Sequence, residues 1–190
     1  MKQRKRLGDV IHFSTGVNPS RIKGKVSEGQ IYSLEDFDRD LVGMDIVCEP
    51  LGETAGIDPK VCTQMGDCII SLTRSQAGVV TGQSSGKVIT ANFVKCHIDV
   101  SQMDTWYFCY IFNESKQIRK QMNQLQQGVL SCISKLNINT VSQMEYDYKS
   151  LEHQKMIGAM YREIMKQNAL MKKQTDQITR TSLMILESMD

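Results

Sequence analysis

The sequence predicts an α+β protein in which a head of short strands and loops is followed by one long C-terminal helix. Two observations predict this division. Residues 7–100 contain short apolar runs interrupted by Gly, Pro, Ser and Asp, a pattern typical of strands and loops. After Gly158 neither Pro nor Gly occurs, so residues 152–188 are expected to form one helix of about 50 Å. We therefore expect a head domain over residues 1–150 and a helical domain over residues 151–190.

Seven apolar runs in the first hundred residues match the strand pattern. The predicted strands are Asp9–Phe13, Gln30–Ser33, Asp45–Cys48, Cys68–Leu72, Gly78–Thr81, Val88–Thr90 and Phe93–Ile98. After Asp104 the apolar spacing becomes helical, and Gly128 is expected to end that helix. Its apolar face is Trp106, Tyr107, Tyr110, Ile111, Ile118, Met122 and Leu125. A strand over Val129–Ile133, a loop near Asn137 and an extended segment over Glu145–Lys149 should then lead to the long helix.

The long helix has one apolar edge whose residues lie one heptad apart. They are Ile157, Ile164, Met171, Ile178 and Ile185. A helix this long cannot bury a single edge by itself, so we expect these residues, with Met160, to form an intermolecular coiled-coil interface. The alternative is a helix packed flat on its own head, which the length of the helix disfavours. Polar residues interrupt the middle of the edge, and such residues tend to fix register and partner. They are Gln167, Asn168, Gln174 and Thr175.

The composition is typical of a globular protein, with 41% hydrophobic and 23% charged residues. No apolar run approaches the ~18 residues of a membrane span, and the basic N-terminus lacks the apolar core of a signal peptide. Six cysteines without a CxxC pair and three dispersed histidines argue against a zinc site. We therefore expect a cytoplasmic protein whose cysteines are small core residues.

The net charge of +2 conceals an uneven distribution of charge. Residues 1–30 carry seven bases and two acids, whereas residues 31–70 carry nine acids and two bases. A non-specific nucleic-acid coat would be more uniformly basic. One surface that meets DNA and another that meets protein would produce this pattern, and so would ordinary solvated charge.

No constellation in the sequence indicates catalysis or a metal site. The Gly82–Lys87 loop differs from a phosphate loop because three residues, not four, separate its glycines and Val88 follows the lysine. Asp58 and Asp147 each precede a lysine by two residues, but neither has the surrounding strand and acids that hold a nuclease metal. No Ser-His-Asp or Cys-His arrangement stands out. We therefore expect a protein that is not an enzyme.

Four segments, in order, resemble parts of a known family. Arg6–Val10 (RLGDV) and Gly66–Ser71 (GDCIIS) resemble the start and an apolar strand of its target-recognition domain. Gly128 and the apolar residues after it resemble the end of that domain, and Leu151–Ile157 (LEHQKMI) resembles the start of its spacer helix. The family is the DNA-specificity subunit of type I restriction–modification systems. The prolines usual before the spacer helix are missing here, and full-length members have two recognition domains and two spacer helices.

The resemblance implies a target-recognition domain and a spacer helix without catalytic activity or a cofactor of their own. Because the two spacer helices of the family pack antiparallel, we expect this chain to form an antiparallel homodimer that reads a bipartite, palindromic site. The implied partners are double-stranded DNA and methyltransferase subunits that use S-adenosylmethionine and contact residues 155–180. In a restricting system, a nuclease subunit that uses ATP and Mg²⁺ would join them.

The candidate DNA contacts follow from loop position and side-chain chemistry, not from residue matches to the family. They are Arg21, Lys23, Lys25, Thr73, Arg74, Ser75, Gln76, Gln83, Ser84, Ser85 and Lys87. For each, an ordinary surface role is an equal alternative. Three other functions stay open: a coiled-coil interaction module without salt-dependent DNA affinity, a silent half-gene specificity cassette, and a small nuclease that depends on Asp58 and Asp147.

Overall fold

The computed structural model describes residues 4–22, 24, 26–43, 58–127 and 136–189. It confirms the predicted α+β class, with a head of antiparallel strands and helices followed by one helix of 37 residues. Within the described residues, the strands are β1 (Arg4–Arg6), β2 (Ile11–Thr15), β3 (Cys68–Ser71), β4 (Gln76–Val79), β5 (Phe93–Ile98) and β6 (Glu145–Asp147). The helices are α1 (Pro19–Ile22), α2 (Leu34–Leu41), α3 (Thr105–Glu114), α4 (Lys116–Gln127), α5 (Ile138–Gln143) and α6 (Leu151–Glu187).

The central sheet has the strand order β2-β5-β3-β4, and every neighbouring pair is antiparallel. Successive side chains of a strand point to opposite faces, and here both faces contribute to the core. Ile70 and Ala77 belong to the cluster that includes α3 and the start of α6. Ile69 and Phe93 belong to a second cluster, with Tyr32 and the apolar side of α2. The sheet is therefore the middle layer of three, which explains why its strands are apolar almost throughout.

A second, two-stranded sheet joins the start of the chain to the segment before α6. In this sheet β1 runs antiparallel to β6, with Arg4 opposite Asp147 and Arg6 opposite Glu145. The Arg4 guanidinium lies 3.9 Å from the Glu145 carboxylate and 3.7 Å from that of Asp147. Exposed ion pairs of this kind contribute little stability. The backbone ladder is what fixes the residues from which α6 departs.

Two predicted strands are wrong. Gln30–Ser33 is not a strand because Ser33 caps α2, where its Oγ accepts from the backbone N–H of Asp36 at 3.1 Å. Ile31 and Val88–Thr90 form isolated bridges instead of strands. The other predicted strands of the described head occur as β2, β3 and β4, with shifted ends, and as β5, with the predicted bounds. The predicted strands Asp45–Cys48 and Val129–Ile133 lie outside the described residues.

The single helix predicted after Asp104 is two helices. Asp104 caps α3 by accepting from the Tyr107 N–H at 2.8 Å, and Ser115 adopts extended angles (φ −65°, ψ 121°) that end α3. After this break, α4 reaches β6, where the Gln121 side chain exchanges hydrogen bonds of 2.8 Å with the backbone of Glu145. The predicted end at Gly128 lies outside the described residues. Helix α5 occupies part of the segment that was predicted to be a loop.

The first turns of α6 dock on α3. Gln154 is fully buried, and its Nε2 donates to the backbone carbonyls of Gln102 and Lys149. Gly158 permits close packing, since a Cβ there would lie 2.8 Å from the backbone N of Tyr107. From residue 170 to residue 189 every side chain is exposed. Among the described residues, no helix is long and apolar enough to span a membrane.

Candidate nucleic-acid interface

The turn between β3 and β4 carries the predicted DNA contacts Thr73, Arg74 and Ser75, and a fourth, Gln76, is the first residue of β4. Ser75 has a φ of 52°, in the left-handed region, and the Arg74 N–H donates to Ser71 Oγ at 3.2 Å. This tight turn leaves Thr73 and Arg74 exposed. Arg74 Nη2 lies 2.8 Å from Asp38 Oδ2 on α2, and both side chains are about half exposed. The turn therefore presents polar groups to solvent at one end of the sheet.

The loop with the next four predicted contacts is fixed to the head. They are Gln83, Ser84, Ser85 and Lys87. Lys87 Nζ donates to Asp36 Oδ1 at 2.7 Å, and the lysine side chain is only 12% exposed. Ser84 is fully buried. Gln83 and Ser85 are half-buried and retain some surface. In this conformation Ser84 offers no surface to DNA, and Lys87 supports the fold, because the loop folds inward instead of projecting as a flexible hairpin tip.

Two buried carboxylates of α2 hold this loop. Asp40 accepts from Tyr32 Oη at 2.6 Å and from Thr81 N and Oγ1 at 2.9 and 2.7 Å. Burial raises the pKa of Asp40 and outweighs these hydrogen bonds. Burial also acts to raise the pKa of Asp36, but the hydrogen bonds led by that of Lys87 outweigh it, so the pKa of Asp36 is lowered. Asp36 is therefore the charged anchor of the loop.

Four of the six described acids of residues 31–70 are buried in the head or paired with its bases. Asp36 and Asp40 are buried, and three acids of this segment pair with bases of the same chain. These pairs are Asp36–Lys87, Asp38–Arg74 and Asp67–Lys95. Among the described residues the acidic segment is thus partly internal, while Glu35, Asp38 and Asp58 remain exposed. One local signal was available, since Ser33 followed by Asp36 three residues later fits a capping box.

The third group of predicted DNA contacts lies in the segment after β2. Gly16 lies so close to the carbonyl oxygens of Ile89 and Thr90 that a Cβ would overlap them, so this segment is held against the sheet. Arg21, in α1, is exposed. Lys23 and Lys25 lie outside the described residues. Of the three bases, only the position of Arg21 is therefore known.

An open part of the sheet carries two histidines that the sequence did not single out. His12 and His97 are register partners on β2 and β5, with ring centroids 5.9 Å apart, and both are exposed. Ser14 Oγ lies 2.9 Å from His97 Nε2. The pKa of His97 is lowered, mainly by burial and then by electrostatic interaction with Lys95 and His12. Neutral imidazoles both donate and accept, which suits hydrogen bonding to base edges. Strand register creates this pair, so no local sequence signal could have found it.

The residues that were considered for catalysis have roles in the fold. Asp58 caps a short 3₁₀ turn by accepting from the Lys60 N–H at 2.9 Å, and Asp147 lies in β6. Cys68 is a buried core residue, and this burial raises the pKa of its thiol well above the usual range. Among the described residues, no group of three or more His, Cys, Asp or Glu side chains could hold a metal ion.

The predicted interface residues of α6 form an exposed apolar stripe. Met160, Ile164, Met171, Ile178 and Ile185 expose 62, 48, 64, 68 and 56% of their surface. Ile157 differs, because it is partly buried and packs against the core of the head. A helix packed along its own head is therefore wrong for most of α6. Pairing of the stripe with a second chain stays a prediction.

Neither a protein-family model nor a curated protein matches the sequence. Solved structures do match. The chain is similar to the HsdS subunit from Thermoanaerobacter tengcongensis, with 17% identity and a TM-score of 0.56 over 90% of this chain and 39% of that chain. For the type I restriction-modification S subunit from M. genitalium, the identity is 14% and the TM-score 0.51, over 94% of this chain and 43% of that chain. The fold is that of a type I S subunit.

A third match comes from a structure of complex assembly and conformational transition in the type I R-M system. It has 16% identity and a TM-score of 0.50 over 95% of this chain and 48% of that chain. The chain thus spans less than half the length of each of these three chains. Of the four segments that carry the sequence resemblance, the one that begins at Gly128 lies outside the described residues, and the other three lie in or between described elements. Gly66–Ser71 includes β3, Leu151–Ile157 begins α6, and Arg6–Val10 connects β1 to β2.

Proposed function

We propose that this protein is the non-catalytic DNA-recognition subunit of a type I restriction–modification complex. The observation that carries the proposal is the S-subunit fold, which extends over 90–95% of this chain. The exposed Thr73, Arg74 and Arg21 and the partly exposed Ser75, Gln76, Gln83 and Ser85 supply groups suited to DNA phosphates and base edges. Methyl transfer would come from a partner that uses S-adenosylmethionine, and cleavage from a nuclease subunit that uses ATP and Mg²⁺.

We further propose that α6 pairs with α6 of a second copy in antiparallel orientation. The heptad isoleucines are symmetric about Met171, since Ile164 and Ile178 lie seven residues to either side of it and Ile157 and Ile185 lie fourteen, whereas Met160 has Ser182 as its counterpart. In an antiparallel pair centred on Met171, Ile164 faces the partner's Ile178 and Ile157 faces the partner's Ile185. The exposed Ile164 and Ile178 then meet each other, whereas each contact between Ile157 and Ile185 lies beside a head, where Ile157 is partly buried.

The polar residues in the middle of α6 obey the same symmetry. Gln167 and Thr175 lie four residues from Met171, and Asn168 and Gln174 lie three residues from it. The antiparallel register therefore brings polar side chains together at the centre, where they select one register against its alternatives. The heads would lie at opposite ends of the pair. They would read half-sites about one to one and a half DNA turns apart, at ~34 Å per turn, in a two-fold symmetric target.

Affinity purification from the native cells tests the proposed function. We expect the tagged full chain to retain an adenine methyltransferase in stoichiometric amount. Sequencing of modified bases with and without the gene should show methylation that depends on the chain, at a bipartite palindrome. Recovery of the chain alone or with an unrelated helical protein, together with unchanged methylation, would contradict the proposal. Chain-dependent methylation at an asymmetric site would contradict only the homodimer.

A further inference from the structure

A groove of about 820 Å³ separates the head from the middle of α6. On the head side it is lined by α2 and by Arg74 of the β3–β4 turn. On the α6 side it is lined by successive turns of the helix from Met165 to Arg180. The groove thus adjoins the turn that carries predicted DNA contacts.

Bases exceed acids among the side chains that line the groove. The bases are Arg74, Lys172, Lys173 and Arg180, and the acids are Asp38 and Asp176. The three bases of α6 are exposed, and within the described part of the chain no carboxylate lies within 4 Å of their charged groups. Arg74 is paired with Asp38, but both are about half exposed, and an ion pair so exposed exchanges readily for another anion. All four bases are therefore available to an anionic ligand.

The groove stays open when the apolar stripe is covered. At ~100° per residue, Lys173 lies about 160° around the helix from Met171, and Arg180 about 160° from Ile178. The basic side and the apolar stripe therefore face different directions. A second copy that covers the stripe leaves the basic side of α6 accessible.

We propose that this groove binds the phosphate backbone of duplex DNA, with Lys172, Lys173, Arg180 and Arg74 as the contacts. The proposal rests on the proposed function and deepens it. From Lys172 to Arg180 the helix rises about 12 Å, and that length of duplex carries about seven phosphates. The charged groups that line the groove are mostly bases in a row along α6, with the amides of Asn168 and Gln177 among them. Such a row suits contact with phosphates, which sets position and orientation without reading sequence. An acidic protein surface is less favoured because the groove leads directly to the exposed turn at Arg74.

The test uses the full chain and a labelled random-sequence duplex of about three turns, at ~10 bp per turn. Binding is measured by fluorescence anisotropy between about 50 and 200 mM salt. We expect Lys173→Gln combined with Arg180→Gln to weaken binding about tenfold or more and to reduce the slope of log affinity against log salt by about 2. The matched control, Lys116→Gln combined with Lys120→Gln, removes the same charge from exposed positions of α4 and should leave the slope unchanged. Circular dichroism checks that both variants fold.

Three results would overturn the groove proposal. They are equal losses in the two double variants, no binding of the random duplex by the wild-type chain, and a groove variant that binds DNA normally but loses a partner protein in pull-downs. The last result would assign the groove to an acidic protein. If host methylation depends on the chain while the groove variant has a normal salt slope, only the groove proposal fails. If the slope falls as expected but no methylation depends on the chain, the proposed function fails and the groove remains a DNA site.

Discussion

Gln154 and Ile178 lie on the same helix, but their surroundings differ. Gln154 is a polar residue with no exposed surface, and its amide is enclosed by backbone groups of the head. Ile178 is an apolar residue that is 68% exposed, in an outer part of α6 (residues 170–187) where every side chain is exposed. Helical hydrogen bonds are local and continue through both parts, whereas an apolar stripe needs a neighbour. The docked part of α6 therefore completes the head, and the outer part marks where a partner is expected to bind.

The largest loss of stability is expected from a substitution where the docked part of α6 meets α3. Gly158→Leu adds atoms where even a Cβ would lie 2.8 Å from the Tyr107 backbone N, and it displaces Asp104, the cap of α3. We expect the free energy of unfolding in urea to fall by about 4 kcal/mol through overpacking and loss of the cap. Ala159→Leu, at the neighbouring exposed position, should change it by no more than about 0.5 kcal/mol. Equal losses would mean that α6 does not dock through Gly158.

A somewhat smaller loss of stability is expected from a substitution inside the head. Asp36→Asn leaves the mostly buried Lys87 without its counter-charge, and we expect a loss of about 3 kcal/mol at neutral pH. Because the pKa of Asp36 is lowered in the folded state, its contribution is present above the unfolded pKa of about 3.8 and is lost as the pH falls through the lower folded pKa. Urea denaturation at several pH values should therefore show the gap to wild type shrinking below about pH 4. A gap independent of pH would mean that the charge of Asp36 is not what stabilises the loop.

Changes in the apolar stripe of α6 should affect association and spare the head. Ile164→Glu combined with Ile178→Glu puts charge into the apolar stripe, so we expect the mass measured by light scattering to fall from two chains to one with an unchanged near-ultraviolet circular dichroism spectrum. Ala159→Glu combined with Gln177→Glu adds the same charge away from the stripe and should leave the dimer intact. A dimer that survives the stripe variant would place the interface elsewhere.

The smallest effect is expected at the exposed ion pair of the β3–β4 turn. Arg74→Gln removes a pair in which both side chains are about half exposed. We expect the free energy of unfolding to change by less than about 0.5 kcal/mol. A loss above about 1 kcal/mol in the same urea experiment would show that Arg74 is committed to the fold. It would then be a poor candidate for DNA contact.

Local sequence patterns predicted the helices and strands that form through interactions between residues close in sequence. The heptad spacing from Ile157 to Ile185 predicted α6, and the apolar run Phe93–Ile98 predicted β5 with its observed bounds. Helix α2 was missed because eight mostly charged residues give only two turns of periodicity. The break at Ser115 was missed because apolar side chains continue on both sides of it.

The candidate site depends more on distant contacts, which a single sequence does not display. The loops at Thr73–Gln76 and Gln83–Lys87 were predicted as loops. The inward turn of Lys87 depends on Asp36, 51 residues earlier in the chain. The histidine pair likewise depends on the register between β2 and β5. Sequence patterns therefore found the segments but not which side chains remain on the surface.

Disulfide cross-linking of cysteine variants tests the antiparallel pairing of α6 most directly, with the unsubstituted chain as the background control. We expect a mixture of Ile164→Cys and Ile178→Cys chains to cross-link to each other, and Met171→Cys to cross-link to itself. Ile164→Cys alone should give no dimer above background. Self-cross-linking of Ile164→Cys would mean parallel pairing, and no cross-link in any combination would mean that the exposed stripe of α6 does not bind a second copy.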